Sequence, residues 1–295
     1  MKETLLKWLK GDPSAQDVRV LHAGDPSEAP SEPSVQPPRS SQDHRSGQTI
    51  FSAEALDPAF RFRSLTVAEP DTSALEGEPD HQPAFKIRLA KSAGFRRDAT
   101  GLIGRRYSDR GYLIPKSTQD PNLFTFLAYD EGQLVGTVSI RLDSEEGLAS
   151  DDLYGDELNE LRSAGCRVCE FTRLAVDVAA ASKPVLAGLF HTAYLYAAKV
   201  RGFKFAVIEV NPRHVAFYRR ALQFEPIGPE RMNHRVQAPA VLLGISFDKI
   251  SEGVARFGGK AELAPQERSL FPYGFSLEEE VGILQRLSEL EAPRP

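Results

Sequence analysis

The sequence CEFTRLAVD, at residues 169–177, decides the fold assignment. It is predicted to form a buried strand, yet it carries two charged side chains, Glu170 and Arg173. Charged groups in an otherwise buried strand cost free energy unless they are paired or have a function. The stretch therefore predicts either a structural ion pair or a functional site on this strand.

The segments after this strand predict a helix, a second strand and another helix. A short alanine-rich loop leads to a long helix from about Pro184, and a strand is predicted over residues 204–210. That strand ends at the sequence NPRH, residues 211–214, and a helix is predicted over residues 212–222. Asn211 is a good helix N-cap and a proline suits the first helical position, so this segment also has a purely structural explanation.

The rest of the central region predicts a mixed sheet with helices on its faces. The turn sequence DEG at residues 130–132 separates two predicted strands and indicates a hairpin. The further predicted elements are strands over residues 85–89, 123–129, 133–142 and 238–247, a basic amphipathic helix over 95–112 and a surface helix over 151–164. The fold class is therefore α/β with a mixed sheet.

Three parts of the chain differ in composition. Residues 1–80 are predicted to be a mostly disordered tail rich in Pro, Ser and acidic residues, because such a segment buries too little apolar surface to offset its ordering entropy. Residues 85–247 form the predicted folded domain. Residues 248–295 form a C-terminal extension with an amphipathic helix over 276–290, expected to pack on the domain or, alternatively, to contact a partner or a membrane surface.

The charge distribution and the cysteine content limit the classes of function that fit this chain. The net charge is −5, but residues 85–247 hold 22 basic and 18 acidic side chains, which leaves the flanks acidic. A mildly basic core suits an anionic partner, although acidic tails that keep the protein in solution explain the same distribution. Two cysteines, the absence of a secretory signal and the lack of a long apolar run make a reducing cytoplasm the simplest compartment.

This order of parts resembles the acyl-donor half of a GNAT-type N-acyltransferase. A Glu-x-x-Arg pattern on the first strand is typical of the FeeM-like N-acyl amino acid synthases and of the related acyl-homoserine-lactone autoinducer synthases. The resemblance covers roughly residues 85–247, and it implies a GNAT-like fold in which two central strands splay apart. It also implies transfer of a fatty acyl group from a phosphopantetheine thioester, the co-substrate, to the α-amine of an amino acid.

The resemblance implies a role for several individual residues of this chain. Glu170 is the candidate general base, and Tyr218 is the candidate acid for the leaving thiolate. Asn211 lies where pantetheine amides would bind, and Arg173 is a substrate or structural anchor. Thr172, Arg213 and His214 complete the candidate substrate-binding residues. The alternatives are a Glu170–Arg173 ion pair, a half-buried Tyr218 with a hydrogen-bonded hydroxyl, and a surface His214.

One geometric condition must hold for this site. Side chains three residues apart on a regular strand point to opposite faces. Glu170 and Arg173 therefore share a site only if a β-bulge lies between them. The resemblance implies such a bulge.

The donor is the main departure from ordinary GNAT enzymes. Residues 179–188 lack the Arg/Gln-x-x-Gly-x-Gly/Ala pattern that holds the pyrophosphate of CoA in that superfamily. An acyl carrier protein needs no such loop and is acidic, so it is the expected partner. A set of basic residues would form a complementary rim, unless they are merely solvated: Lys183, Lys199, Arg201, Arg213, Arg219 and Arg220.

The sequence also allows other interpretations. An autoinducer synthase usually carries a tryptophan in its N-terminal acceptor region, whereas the one tryptophan here is Trp8. A non-catalytic domain that binds an acyl carrier is the third reading. Cys166 and Cys169 lack a second pair of ligands, so no metal is expected, and the arginine-rich helix comes without a nucleic-acid-binding motif. The aromatic residues available for an acyl slot are Phe190, Tyr194, Phe203, Phe205, Phe217 and Phe224.

Overall fold

A mixed sheet organises the protein. The computed structural model describes residues 49–52, 85–108, 120–177 and 182–291. Within them, nine strands form the sheet in the order β1-β2-β3-β4-β5-β6-β9-β7, and β8 pairs with β9. The strands are β1 (Thr49–Ser52), β2 (Phe85–Leu89), β3 (Leu123–Asp130), β4 (Gln133–Leu142), β5 (Val168–Val176), β6 (Phe205–Val210), β7 (Glu225–Pro226), β8 (Arg231–Asn233) and β9 (Ala238–Ser246).

Helices cover both faces of this sheet. They are α1 (Ala93–Ser108), α2 (Asp151–Ser163), α3 (Lys183–Tyr194), α4 (Val215–Leu222), α5 (Phe247–Phe257) and α6 (Leu277–Glu291). A π-helical segment, Leu195–Val200, continues α3, and short 3-10 turns lie at Pro212–His214, Ala261–Leu263 and Phe271–Tyr273. Every pair of neighbouring strands is antiparallel except β5 and β6. The mixed sheet predicted from the sequence is therefore confirmed.

The β3–β4 hairpin follows from its turn sequence. Glu131 and Gly132 have φ angles of 47° and 83°. Two central residues with positive φ are typical of the tight turns whose twist matches antiparallel strands. The predicted hairpin is confirmed at this place.

The two faces of the sheet bury different sets of side chains. The larger core lies under α3, whose residues are almost all buried, and it includes Phe171 and Ile208 from the two central strands. A smaller cluster lies under α1 and includes Leu127, Tyr129 and Ala175. A side chain of a central strand that packs with one of these two sets lies on the corresponding face of the sheet.

The helix predicted over residues 212–222 differs in its first turn. Asn211 accepts a hydrogen bond from the backbone N–H of Arg213, and Pro212–His214 forms a tight 3-10 turn. The α-helix begins only at Val215. Pro212 has no backbone N–H, and the Asn211 side chain accepts its hydrogen bond from the amide only two residues further along. The first turn is therefore tighter than a turn of α-helix.

The C-terminal extension packs against the sheet and β1. Phe51 of β1 lies 4.4 Å from the ring of Phe275, and Arg286 of α6 donates a hydrogen bond to the carbonyl of Ile50 at 2.6 Å. Ile283 and Leu287 of α6 are buried. Residues 49–52 thus form a strand docked on the core, within a tail predicted to be mostly disordered, and the rest of that tail lies outside the described residues. None of the helices described has both the length and the apolar character required to cross a bilayer.

Candidate active site

An opening between β5 and β6 is the central feature of the site. The two strands pair in parallel at only three positions, and the last is Glu170 opposite Val207. Beyond that point β5 stays paired with β4 as far as Val176, and β6 stays paired with β9 as far as Val210. Because each strand follows its other neighbour, the two diverge and leave a gap that begins at Glu170. The predicted splay of the central strands is confirmed.

A β-bulge interrupts β5 three residues past Glu170. Thr172 pairs with Ser139 and Ala175 pairs with Thr137, so Arg173 and Leu174 together oppose a single residue of β4. Arg173 has a φ angle of 51°, a left-handed conformation that a non-glycine residue adopts at some cost. The condition set by the sequence, a bulge between Glu170 and Arg173, is met.

The bulge brings Arg173 to the same face of the sheet as Glu170. Phe171 and Leu174 both pack with the larger core, whereas Ala175 packs under α1. Thr172 and Arg173 lie between two residues of the α3 face, so both point to the α1 face. Glu170 takes that face as well, because it alternates with Phe171.

Glu170 is a buried carboxyl group bound by backbone amides. Its side chain is 3% exposed, and its Oε2 accepts hydrogen bonds from the N–H groups of Ala149 at 2.7 Å and Ser150 at 3.4 Å. Burial, with a smaller contribution from the charge of Glu209, raises the pKa of Glu170 to about 7, although the two amide bonds act to lower it. Among the described residues no ion pair joins Glu170 to Arg173, so the structural ion pair considered from the sequence is not what holds this carboxyl group.

Glu209 is a second buried carboxylate that the sequence reasoning missed. It alternates on β6 with Ile208 and Val210 of the larger core, so it shares the face of Glu170. Asn233 donates a hydrogen bond to its Oε1, and Arg235 donates one to its Oε2 at 3.3 Å. Burial raises the pKa of Glu209. The signal was present, because Glu209 is a charged residue in the apolar strand FAVIEV.

The guanidinium of Arg173 lies among polar side chains. Burial lowers the pKa of Arg173, while Tyr107 and Asp120 favour its charged form and Arg141 opposes it. Asp120 itself forms an ion pair with Arg141 at 3.1 Å. These groups surround Arg173, and the preceding residue, Thr172, is half-buried. A cation that is only partly offset by an acidic neighbour suits an anionic group of a substrate.

The residues at the end of β6 have structural contacts. The Asn211 side chain caps the following turn, as the structural explanation required. Arg213 is exposed, and its Nε donates a hydrogen bond to Nε2 of the half-buried His214 at 3.2 Å. These residues stand at the C-terminal end of the strand that departs from β5.

Tyr218 lies on the opposite face of the sheet from Glu170. It is 8% exposed on α4 and belongs to the larger core, with ring centroids 5.2 Å from Phe217 and 6.5 Å from Phe224. Phe171, the residue after Glu170, belongs to the same core. The two candidate catalytic residues are therefore on different faces, and the gap between β5 and β6 is the place where the faces meet.

An apolar cavity of about 40 Å³ lies on the Tyr218 face. Phe171 lines it from β5, and Phe190, Tyr194 and Phe224 line it from the elements packed above. Three of the aromatic residues proposed for an acyl slot from the sequence are thus at this cavity. Phe203, Phe205 and Phe217 are not part of its lining.

A family model described as N-acyl amino acid synthase FeeM matches residues 98–246. The chain belongs to this FeeM family. The match spans the hairpin, the bulged strand, the gap and α4, so the features described above are those of a FeeM-family acyltransferase. Membership also implies an acyl thioester as co-substrate.

Solved structures similar to this chain include one of a FeeM protein. FeeM, an N-acyl amino acid synthase from uncultured soil microbes, aligns at 27% identity with a TM-score of 0.52, over 57% of this chain and 92% of that one. A putative N-acetyltransferase from Lactobacillus plantarum aligns at 16% identity with a TM-score of 0.42, over 55% and 98% of the two chains. The acyl-homoserine-lactone synthase LasI aligns at 15% identity with a TM-score of 0.41, over 55% and 90%. A comparison with curated proteins finds no match.

Metal-ligating groups do not cluster in the part of the chain that the structure describes. No three His, Cys, Asp or Glu residues there are placed to hold an ion. Cys166 and Cys169 are free thiols, and burial raises the pKa of both. These thiols therefore have little thiolate character near neutral pH.

Proposed function

We propose that the protein transfers a fatty acyl group from an acyl carrier protein to the α-amine of an amino acid. Membership of the FeeM family supports the reaction class. The observation that carries the proposal is the divergence of β5 and β6 directly after Glu170, a buried carboxyl group with a pKa of about 7. A thioester arm that enters this gap brings its carbonyl carbon beside that carboxylate.

Glu170 acts as the general base in this proposal. An amino acid arrives with a protonated amine, which is not a nucleophile until it loses a proton. A base whose pKa lies near the working pH combines a usable ionised fraction with a real affinity for the proton. The amine nitrogen then attacks the thioester carbonyl, and the N–C bond forms.

Tyr218 acts as the acid that completes the transfer. Collapse of the tetrahedral intermediate breaks the C–S bond and releases a thiolate. The Tyr218 hydroxyl gives its proton to that sulfur. The newly bonded nitrogen loses its second proton through water to the Tyr218 phenolate, and Glu170 releases the first one to solvent. Tyr218 lies on the α3 face of the sheet. This position is consistent with an acyl donor on that side of the gap and an amino acid acceptor on the Glu170 side. Backbone N–H groups next to the bulge supply hydrogen bonds to the developing oxyanion.

Arg173 and Thr172 contact the acceptor in this proposal. Both lie on the Glu170 face, and a guanidinium pairs with a carboxylate through two parallel hydrogen bonds. Arg173 would hold the amino acid carboxylate while its amine faces Glu170. Asn211, Arg213 and His214, at the end of β6, would contact the pantetheine arm instead.

Carrier protein rather than CoA is the proposed donor. At the start of α3, Ser182 already accepts a hydrogen bond from the N–H of Val185 at 3.3 Å, and Pro184 has no N–H to offer. The first turn of this helix therefore has few free donors for a pyrophosphate. Four of the proposed rim residues are exposed: Lys199, Arg213, Arg219 and Arg220. Arg219 also pairs with Glu225 at 3.1 Å, and an acidic carrier protein would meet this basic set.

The proposed compartment is the cytoplasm, where carrier-protein thioesters are made and thiols such as Cys166 and Cys169 stay reduced. A membrane contact through α6 has one supporting feature, the exposed side chains of Leu277 and Val281. The neighbouring Glu278 and Glu279 weigh against it, since anionic lipid surfaces repel acidic residues.

Incubation with acyl carrier protein thioesters or acyl-CoA and each of the twenty amino acids tests the proposal. The expected result is an N-acyl amino acid, identified by mass, formed faster from the carrier protein. A faster reaction with CoA would overturn the donor assignment. A lactone product with S-adenosylmethionine as acceptor would favour the autoinducer synthases, and donor binding without any product would favour a non-catalytic domain.

A further inference from the structure

The apolar cavity on the Tyr218 face is next to the proposed site of acyl transfer. Phe171 lines it and directly follows Glu170 at the point where β5 and β6 stop pairing. Phe190 of α3 and Phe224, after α4, form the neighbouring walls. These residues all lie within the stretch that matches the FeeM family.

The remaining wall comes from outside that stretch. The C-terminal extension supplies Ile250 and Val254 from α5 and Leu270, Phe271 and Gly274 from the turn that follows. The family match ends at residue 246, so this wall belongs to a part of the chain that the family model does not describe. All four of its larger side chains are 9% exposed or less.

His191 holds this wall against α3. The buried imidazole accepts a hydrogen bond at Nδ1 from the N–H of Phe275 at 3.0 Å. Its proton is therefore on Nε2, which donates to Oε1 of Glu280 at 2.7 Å. A Cβ atom at Gly274 would lie 2.8 Å from the same Nδ1. The extension thus meets α3 in one fixed position, and its side chains form a defined boundary.

We propose that the C-terminal extension forms the end wall of the acyl-chain site and sets the length of chain that the enzyme accepts. The inference rests on the proposed function. A volume of about 40 Å³ is room for roughly three water-sized groups, so the cavity holds only the end of a chain. A longer chain has to displace Phe271 or its neighbours, and the sizes of these side chains decide where it stops.

Two substitutions with opposite effects on the cavity test this. Phe271→Leu removes the ring and enlarges the cavity, whereas Val254→Leu fills it from α5. Phe257→Leu is the matched control, because Phe257 is a half-buried phenylalanine of the same extension that packs on the core and does not line the cavity. An equimolar mixture of medium- and long-chain acyl carrier proteins is supplied, and the N-acyl products are weighed.

The expected result is a shift toward longer chains for Phe271→Leu and toward shorter chains for Val254→Leu, with an unchanged profile for Phe257→Leu. The preference between neighbouring chain lengths should change roughly 10-fold, as it does when one methylene no longer fits an apolar pocket. If the wild-type protein forms N-acyl products and both cavity variants keep its chain-length profile, the inference is overturned. The proposed function is then left intact.

A second readout does not depend on turnover. Free fatty acids of increasing length are added to the full chain, and the rise in melting temperature is measured. The length that stabilises most should become shorter in Val254→Leu than in the wild type. If no amino acid is acylated, the proposed function fails, and this shift still decides whether the extension bounds a chain-binding cavity. An identical length dependence in the two proteins would refute it.

Discussion

Replacement of Glu170 by glutamine separates its proposed chemical role from its structural one. Glutamine has nearly the same shape and keeps an oxygen to accept the amide hydrogen bonds of Ala149 and Ser150. It accepts no proton from an ammonium group. We expect kcat/KM to fall by roughly 10²–10⁴-fold, the usual contribution of a general base.

The pH profile gives a sharper test than the rate alone. Glu170 has a pKa of about 7, so wild-type kcat/KM should rise as pH increases through about 7 and then level off. The Glu170→Gln variant should lack that rise. Assays with acyl carrier protein and the preferred amino acid, from pH 5.5 to 8.5, measure both effects. The exposed Glu252→Gln variant is the control and should keep the wild-type profile.

The same substitution has a calculable effect on stability. A pKa raised from 4.5 to about 7 corresponds to about 3 kcal/mol between the protonated and ionised forms. Because the folded protein binds this proton more tightly than the unfolded chain, wild-type stability falls as pH rises from 4.5 through about 7. About 2 kcal/mol of that loss lies between pH 5.5 and 8.5.

Urea unfolding of both proteins at the two pH values measures this difference. Glu170→Gln should gain about 2 kcal/mol relative to the wild type between pH 5.5 and pH 8.5, since groups that are not coupled to Glu170 titrate alike in both proteins. A variant with near-wild-type kcat/KM would remove Glu170 from the mechanism. A stability difference that is equal at both pH values would show that the pKa of Glu170 is not raised.

Three further predictions concern the surroundings of this carboxyl group. Tyr218→Phe should lower kcat roughly 10²-fold with a carrier-protein thioester; a thioester with a more acidic thiol should restore much of the loss, and an equal loss with both donors would exclude Tyr218 as the acid. Glu209→Gln removes a negative charge that raises the pKa of Glu170, so the midpoint of the kcat/KM profile should move to lower pH, whereas an unmoved midpoint would contradict the coupling. Gly244→Ala would place a Cβ atom 2.6 Å from the ring of Phe205, so thermal or urea unfolding should show a loss of roughly 1–3 kcal/mol, and unchanged stability would contradict this packing.

The central strand β5 was identifiable from the sequence because it breaks the rule that buried strands carry few charged side chains. A glutamate and an arginine in a buried strand require an explanation, and the order of strand, helix, strand and helix supplied it. The same rule applies to Glu209, which was overlooked because the sequence does not show that its strand lies beside Glu170. Adjacency in a sheet depends on pairing between distant segments, and periodicity along one segment does not report it.

A bulge between Glu170 and Arg173 was expected from the family resemblance, but the residues that form it were not. The position of the bulge depends on the register between β4 and β5, because that register decides which two residues of β5 oppose one residue of β4. The hairpin and the packing of the core together fix this register. The C-terminal helix shows a similar limit. Its apolar spacing predicted a buried face, but not that the extension would meet His191 and line a cavity with Phe271.

The divergence of β5 from β6 leaves the protein with a sheet edge in its interior. Residues 171–176 and 208–210 keep their pairing with β4 and β9 on one side, but on the side of the gap they no longer pair with each other. Exposed edges on a protein surface tend to recruit foreign strands. A pantetheine arm bound in this gap would offer its two amides to both strands as a substitute strand. Donor loading would then complete the sheet, so amide hydrogen exchange along both stretches should slow when the enzyme is charged with its thioester.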